Sequence, residues 1–301
     1  MVSNDITGLL VVDKPAGWTS HQVVGRARRV LGTRKVGHAG TLDPMATGVL
    51  VLGVGRATRL LGQLALTDKA YDATIRLGQA TVTDDAEGEI TASSGAVEVS
   101  DEAIEAALVD LRGPIEQVPS SVSAIKVGGV RSYARVRSGE DVTLAARPVT
   151  VSRFEVLARR HVVVDGVDGV DGVAVVDLDV VVECSSGTYV RALARDLGEA
   201  VGAGGHLTAL RRTRVGPFTL AEAQDLEATE VAVSPISEVA RRCFPALDLT
   251  AEQAVAVRFG RRLPDTVLPG ERTAVFDLDG DFLALYRPED GDAVPEAVFV
   301  G

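Results

Sequence analysis

Gly37-His-Ala-Gly-Thr-Leu-Asp-Pro-Met-Ala-Thr-Gly-Val-Leu50 is a glycine-rich stretch that runs into an apolar one. It sets one carboxylate, Asp43, in a turn just ahead of Gly48-Val-Leu-Val-Leu-Gly53, which reads as a short buried strand. Gly37 and Gly40 are expected to bend the backbone where a Cβ would clash. Pro44 crowds Asp43 and biases it toward an extended conformation. Two readings of Asp43 stay open on physics alone. An acid on a stiff loop at a strand edge can carry chemistry. Asp also forms turns through its own backbone hydrogen bonds, and for a lone Asp in a glycine-rich loop that is the default.

Upstream, Leu9-Leu-Val-Val-Asp13 reads as a strand and Lys14-Pro-Ala-Gly17 as a turn. Ser20 is a good N-cap for a helix whose Val23, Val24, Ala27, Val30 and Leu31 share one face before Gly32. Downstream, Ala57 to about Leu66 reads as a helix. Tyr71, Ala73, Ile75 and Leu77 alternate with Asp72, Thr74 and Arg76, the period of a half-buried strand. Ser100 caps a further helix, with Asp101 and Glu102 in its first turn, ending at Gly113-Pro114. Residues 115–150 are polar and contain arginines, and are expected to form an excursion from the core. Val164 to Val173 repeats Val-Asp-Gly with period three and reads as a hairpin tip. Val176 to Cys184 is a strand, followed by a helix with Val190, Leu193, Leu197 and Val201 on one face and Arg191 and Arg195 on another.

Near residue 247 the character changes. Thr250-Ala-Glu-Gln253 is a capping box for a short helix ending by Gly260. Thr273–Asp277 and Phe282–Tyr286 flank an Asp279-Gly280 turn, a hairpin signal, and Ala297 to Val300 adds a strand. This is a small β-rich unit, with four Arg and nine Asp/Glu over residues 261–301.

The 301 residues are 46% hydrophobic and 24% charged, ordinary for a globular chain with about two domains. The first residues lack the basic-then-apolar pattern of a secretory leader, so the cytoplasm is expected. Cys184 and Cys243 stand 59 positions apart and the four histidines are scattered, a spacing that argues against a zinc site. The net charge of −11 argues against a general nucleic-acid binder. The charge is segregated, however. Residues 21–60 carry Arg26, Arg28, Arg29, Arg34, Lys35, Arg56 and Arg59 against Asp43 alone. Residues 191–216 carry five arginines against two acids, while residues 82–110 hold nine acids and no Lys or Arg. Each block can be a solvated face. Two basic blocks beside glycine-rich segments also fit a polyanion-binding face.

The motifs together resemble one family. Residues 37–50 resemble the signature of the TruB family, the bacterial enzymes that make pseudouridine at position 55 of the tRNA T-loop. Asp13-Lys-Pro-Ala-Gly-Trp-Thr-Ser20 is similar to its opening motif, and Gly55-Arg-Ala-Thr-Arg59 to its next, with Arg59 where Lys is usual. Lys69-Ala-Tyr71 through Gly78, Ser123-Ala-Ile-Lys126, Ser185-Ser-Gly-Thr-Tyr-Val-Arg191 and Leu207 to Phe218 also fit. The likeness spans about residues 8 to 220. Val82 departs from the frequent Asp, though Asp85 and Gly88 fit, and Ser120 replaces a second proline. The C-terminal part is similar to the reduced version of the PUA RNA-binding domain in actinobacterial members.

The resemblance implies an α+β pseudouridine-synthase fold: a mixed, mostly antiparallel sheet flanked by helices, plus a small β-rich C-terminal domain. It implies a catalytic domain over residues 1–246, with 115–150 as an RNA-binding excursion, and a PUA-like domain over 247–301. It implies no metal or cofactor, a T-arm of tRNA as partner, no obligate protein partner, no membrane, and a monomer. It assigns Asp43 as the nucleophile and Arg191 as its ion-pair partner. Tyr71 stacks on the target base and is placed to take the C5 proton, while Tyr189 and Leu210 line the uracil pocket. His38 enters the T-loop in place of flipped-out bases. Lys14 and Lys126 are expected to contact phosphates. Two other readings remain at this point: a guide-RNA-dependent synthase, against which the short acidic C-terminus argues, and a tRNA-folding chaperone, which needs the basic face but not Asp43.

Overall fold

The computed structural model describes residues 6–120, 126–127, 130–131, 145–167, 172–228 and 230–300. Its elements run β1 (Gly8–Lys14), α1 (Ser20–Val30), β2 (Val36–Ala39), β3 (Thr47–Val54), α2 (Leu61–Ala65), β4 (Lys69–Leu77), β5 (Gln79–Thr81), β6 (Ile90–Ser93) and α3 (Asp101–Asp110). They continue with β7 (Gly113–Gln117), β8 (Lys126–Val127), β9 (Val130–Arg131), β10 (Arg147–Val164), β11 (Val173–Cys184), α4 (Val190–Ala200) and β12 (Gly205–Val215). The last are β13 (Phe218–Thr219), β14 (Ser234–Pro235), α5 (Ile236–Cys243), β15 (Ala246–Asp248), α6 (Ala251–Arg258), β16 (Thr273–Phe276), β17 (Phe282–Glu289) and β18 (Asp292–Val298).

A ten-stranded sheet organises the molecule, in the order β14-β1-β3-β12-β4-β11-β10-β7, with β2 on β3 and β13 on β12. All its pairings are antiparallel except β12 with β3. Its centre is buried on both faces, which explains the unbroken apolar runs there. In β1, Leu10 and Val12 face one core while Leu9 and Val11 face the other, and β3 splits in the same way. Strand β4 alternates as expected. Tyr71, Ala73, Ile75 and Leu77 enter the first core, and Arg76 and Thr74 turn outward to bind Asp177 and Asp179 of β11. Helices α1, α3 and α4 cover the first face. The second face packs against α2, α5 and the C-terminal sheet β15-β16-β17-β18 through one shared cluster that joins Val49 and Val51 to Phe276, Phe282 and Phe299.

Several expectations are corrected. The first helix is capped by Thr19, not Ser20, in a full capping box with Gln22. Residues 57–66 are not one helix: a 3-10 turn over Gly55–Leu60 precedes α2. Gly37 has no left-handed backbone; it lies in β2, where a Cβ would come within 2.9 Å of Leu61 Cδ1. Gly113-Pro114 is where a strand begins, and Pro114 sits at the sheet edge, where its missing N–H costs no ladder bond. The two ends of the 115–150 excursion therefore belong to the sheet, because Gly113–Gln117 pairs with Arg147–Val151. Most of its interior lies outside the described residues, as do residues 168–171 at the predicted hairpin tip. No helix among the described residues is long and apolar enough to cross a membrane.

Candidate active site

Two neighbouring strands build the floor of a cavity of about 280 Å³. Lys69 and Tyr71 lie two apart on β4, and Leu210 and Arg212 two apart on β12, so all four point to one face. The register sets Arg212 beside Tyr71 and Leu210 beside Ala73. Gly40 to Asp43 form one wall, and Gly187 to Arg191, leading into α4, form the opposite one.

The Asp43 loop is held from several sides. Gly40 adopts φ +86°, a conformation in which glycine meets no Cβ penalty. The Asp43 carbonyl accepts a hydrogen bond from the Ala46 N–H at 3.1 Å, closing a turn with Pro44 at its second position. Ser20, relieved of the capping role, accepts from the Leu42 N–H at 2.9 Å and donates to the Leu42 carbonyl at 3.2 Å. Arg212 is fully buried under the loop and donates to the carbonyls of Val49 at 2.7 Å, Thr41 at 3.2 Å and Gly40 at 3.2 Å.

The Asp43 carboxylate lies 3.0 Å from Arg191 Nε, and its side chain keeps 38% of its exposure. Arg191 Nη1 also lies 3.3 Å from Asp85 and donates to the Thr83 carbonyl at 2.9 Å. The planar fork is thus oriented from two sides. Asp85 is buried and in turn accepts from Thr83 Oγ1 at 2.5 Å and from the Glu87 N–H at 3.0 Å. Tyr189 is the N-cap residue of α4, and Gln117 clasps its backbone by bonds to both the N–H and the carbonyl. Burial raises the Tyr71 phenol above its ordinary value, with Arg212 beside it acting in the opposite direction. Burial likewise raises Tyr189 and lowers Lys69 to about 8.

Five residues singled out in the sequence therefore meet at one cavity: Asp43, Tyr71, Tyr189, Arg191 and Leu210. His38 stands on β2, two residues before Gly40 of the cavity wall, with its ring against that of His21. The side chain of Lys126 lies outside the described residues. Lys14 is a correction. It is fully buried, and its amine donates to the carbonyls of Trp18 at 2.6 Å, Pro15 at 2.9 Å and Pro44 at 3.1 Å. It fastens the Asp43 loop from beneath and is not presented to a phosphate.

Desolvation by burial is the main cause that lowers the Lys14 amine from 10.5 to about 8. Between those values the folded chain holds fewer protons than the unfolded chain, so the Lys14 contribution to stability rises with pH. Wild-type stability relative to Lys14→Met is expected to climb from pH 8 to 10.5, by roughly 3 kcal/mol at most. Urea melts across that range check the slope.

A model of the TruB family pseudouridylate synthase N-terminal domain matches residues 28–190. Models of tRNA pseudouridine synthase II, C terminal, and of the tRNA pseudouridylate synthase B C-terminal domain match residues 244–300 and 191–271. The chain is 58% identical over 304 residues to tRNA pseudouridine synthase B of Arthrobacter sp. (strain FB24), covering 98% of this chain and 97% of that one. It is 61% identical over 290 residues to tRNA pseudouridine synthase B of Cutibacterium acnes, covering 94% of each. The chain belongs to the TruB family of tRNA pseudouridine synthases. It is an isomerase that converts uridine in tRNA to pseudouridine. Among solved structures it is similar to a chain in the crystal structure of a Cbf5-Nop10-Gar1 complex, with TM-score 0.69 and 26% identity over 97% of this chain and 85% of that one. The fold is shared with a chain of an H/ACA RNP bound to a substrate RNA containing 2′-deoxyuridine, with TM-score 0.69 and 24% identity over 98% and 85% of the two chains.

Seen as a TruB protein, the chain carries site residues that sequence reasoning left unassigned. Arg212 and Lys69 fell inside quoted motifs, and strand alternation from Leu210 and Tyr71 was the signal that would have placed them. Asp85 was noted only as fitting its motif and Gln117 gave no signal, because each reaches the site through a tertiary contact. The basic blocks also prove less open than their sequence suggests. Arg195, Arg211 and Arg214 are paired with acids, and Arg56 and Arg59 donate to the carbonyls of Phe299 and Val298. Arg28, Arg29, Arg34 and Lys35 remain exposed with no acidic partner among the described residues.

Proposed function

We propose that this TruB protein acts alone, as a monomer, on the uridine at position 55 of the tRNA T-loop, with Asp43 as nucleophile. The observation that carries this reading is the Asp43 carboxylate, paired with Arg191 at 3.0 Å and set at a cavity walled by Tyr71, Tyr189 and Leu210. The reaction breaks the bond from C1′ to N1, turns the uracil and joins C1′ to C5; C5 loses its proton and N1 gains one, so the product is an isomer of the substrate. A carboxylate attacks through its own oxygen lone pairs and needs no general base. What Asp43 needs is direction, which Arg191 supplies, and a site closed to water once the base fills it.

The nucleoside is taken to enter flipped out, because Tyr71 and Leu210 lie on the floor of a walled cavity and enzymes that work on a base take it from the stack. Unstacking costs on the order of a few kcal/mol. His38, beside the cavity wall, offers a planar ring to the space the base vacates and offsets part of that cost. Tyr71 and Leu210 sandwich the uracil while it turns. The Tyr71 phenol is protonated in the free protein, because burial raises it. To take the C5 proton Tyr71 must first give up its own, and Arg212 beside it favours the phenolate that then accepts the C5 proton and returns to phenol.

The four exposed cations of α1 and the turn after it form the electrostatic contact to the T-arm. A tRNA-folding role is proposed alongside, because these cations lie on α1 and the following turn and their use does not require Asp43. The purified chain is expected to convert an isolated T-arm stem-loop with no other protein or RNA added. Turnover that appears only with a guide RNA or a partner protein would contradict the stand-alone reading.

A further inference from the structure

His21 is the second residue of α1, and His38 is on β2. Their ring centroids are 5.6 Å apart and their planes meet at 76°, the edge-to-face geometry that aromatic quadrupoles favour. His38 Nδ1 is buried and has no hydrogen-bond partner among the described residues. A hydrogen bond to the Gly40 backbone holds the ring at one point, which leaves its tilt to packing, and His21 is the ring packed against it.

His21 is itself held in register with the active centre. Its neighbour Ser20 exchanges two hydrogen bonds with Leu42, the residue before Asp43. Thr19 and Gln22 lock the start of the helix in the capping box. The helix start, the Asp43 loop and β2 therefore form one connected unit. On the exposed first turn of a helix a histidine adds little to folding, so a merely structural role predicts almost no effect from removing it.

We propose that His21 is a positioning residue for the wedge: its ring sets the orientation of His38, and through Ser20 it ties that orientation to Asp43. This rests on the reading of His38 as the residue that enters the T-loop. Nothing in the pairing needs a hydrogen bond from His21 itself, so another aromatic ring is expected to serve.

The test compares His21→Ala, His21→Phe, His38→Ala and the double variant His21→Ala with His38→Ala. The readouts are kcat/KM on a tRNA transcript and fluorescence of 2-aminopurine placed beside the target uridine, which reports flipping. His21→Ala is expected to lower kcat/KM roughly two- to tenfold, the size of one aromatic pair, with a weaker flipping signal and an unchanged melting temperature. His21→Phe is expected to restore both. In the His38→Ala background, loss of His21 is expected to add nothing, the signature of two residues acting as a unit. The proposal is overturned if His21→Ala matches wild type, if His21→Phe is as impaired as His21→Ala, or if the two losses simply add. Failure of the wedge reading itself is separable, because it would leave His38→Ala fully active. Failure of the proposed T-loop activity would show in the wild type.

Discussion

Asp43→Asn is expected to abolish pseudouridine formation while leaving tRNA affinity and folding close to wild type. The amide keeps the shape of the side chain and removes the carboxylate that the proposed attack uses. The fold has little to lose, because the Asp43 side chain keeps 38% of its exposure. Arg191 retains Asp85 and the Thr83 carbonyl when Asp43 is neutralised, so no guanidinium is stranded. Arg212 and Lys14, which hold the loop, bind its backbone and do not touch the carboxylate. Turnover, followed as tritium released from 5-tritiated uridine in tRNA, is expected to fall by at least ~10⁴-fold, as when an enzyme loses its nucleophile. Retention of a tenth of the wild-type rate would remove Asp43 from that role. Any effect of the protein on tRNA folding is expected to survive in the variant, because the four exposed cations of α1 and the turn after it are untouched.

Arg191→Lys carries the second large effect, in spite of conserving charge. The guanidinium meets Asp43 through Nε and Asp85 through Nη1, and it also donates to the Thr83 carbonyl. An ammonium is a point donor on a flexible stem and cannot present that fork. If it reaches Asp85, Asp43 loses its direction. If it reaches Asp43, the carboxylate of Asp85 is left buried without its cation. Breaking one side of a buried pair costs on the order of 3 kcal/mol. A displaced nucleophile of about 1 Å costs on the order of 10²-fold. The expected result is a lower urea midpoint together with a fall of roughly 10²-fold or more in kcat/KM. Wild-type turnover and stability in Arg191→Lys would show that the site needs only a positive charge there.

How far the sequence could be read depended on whether a residue's partner was local. The alternation in β4 placed Tyr71 on the core face, and its neighbours Asp72, Thr74 and Arg76 off it, because one side of that strand meets polar partners. The runs in β1 and β3 carry no such phase, since both faces are buried, and nothing local told which side each residue served. The capping boxes at Thr250 and the cap at Ser100 depend on residues three apart, and both stand in the structure. At the first helix, Thr19 and Ser20 compete for the same role. The choice was made by a distant contact, Ser20 to Leu42.

Buried charge was the least legible feature. Lys14 and Arg212 read as basic surface because their acceptors are backbone carbonyls, which every sequence offers everywhere. Only the fold shows that three such carbonyls converge on each. The same holds for Arg56 and Arg59, which tie the 3-10 turn to the C-terminal strand end. Asp43 presents the opposite case. A turn was readable there and is present, closed by the main-chain bond from the Ala46 N–H to the Asp43 carbonyl and not by the side chain, which is left to meet Arg191.

The most direct measurement is a nucleotide-resolution map of pseudouridine on full-length unmodified tRNA incubated with the purified wild-type chain, with Asp43→Asn run in parallel. The expected map has one modified uridine, at position 55 in the T-loop, and none with the variant. Modification at another arm of the tRNA, or an unchanged map with Asp43→Asn, would contradict an Asp43-centred site that takes the T-loop uridine.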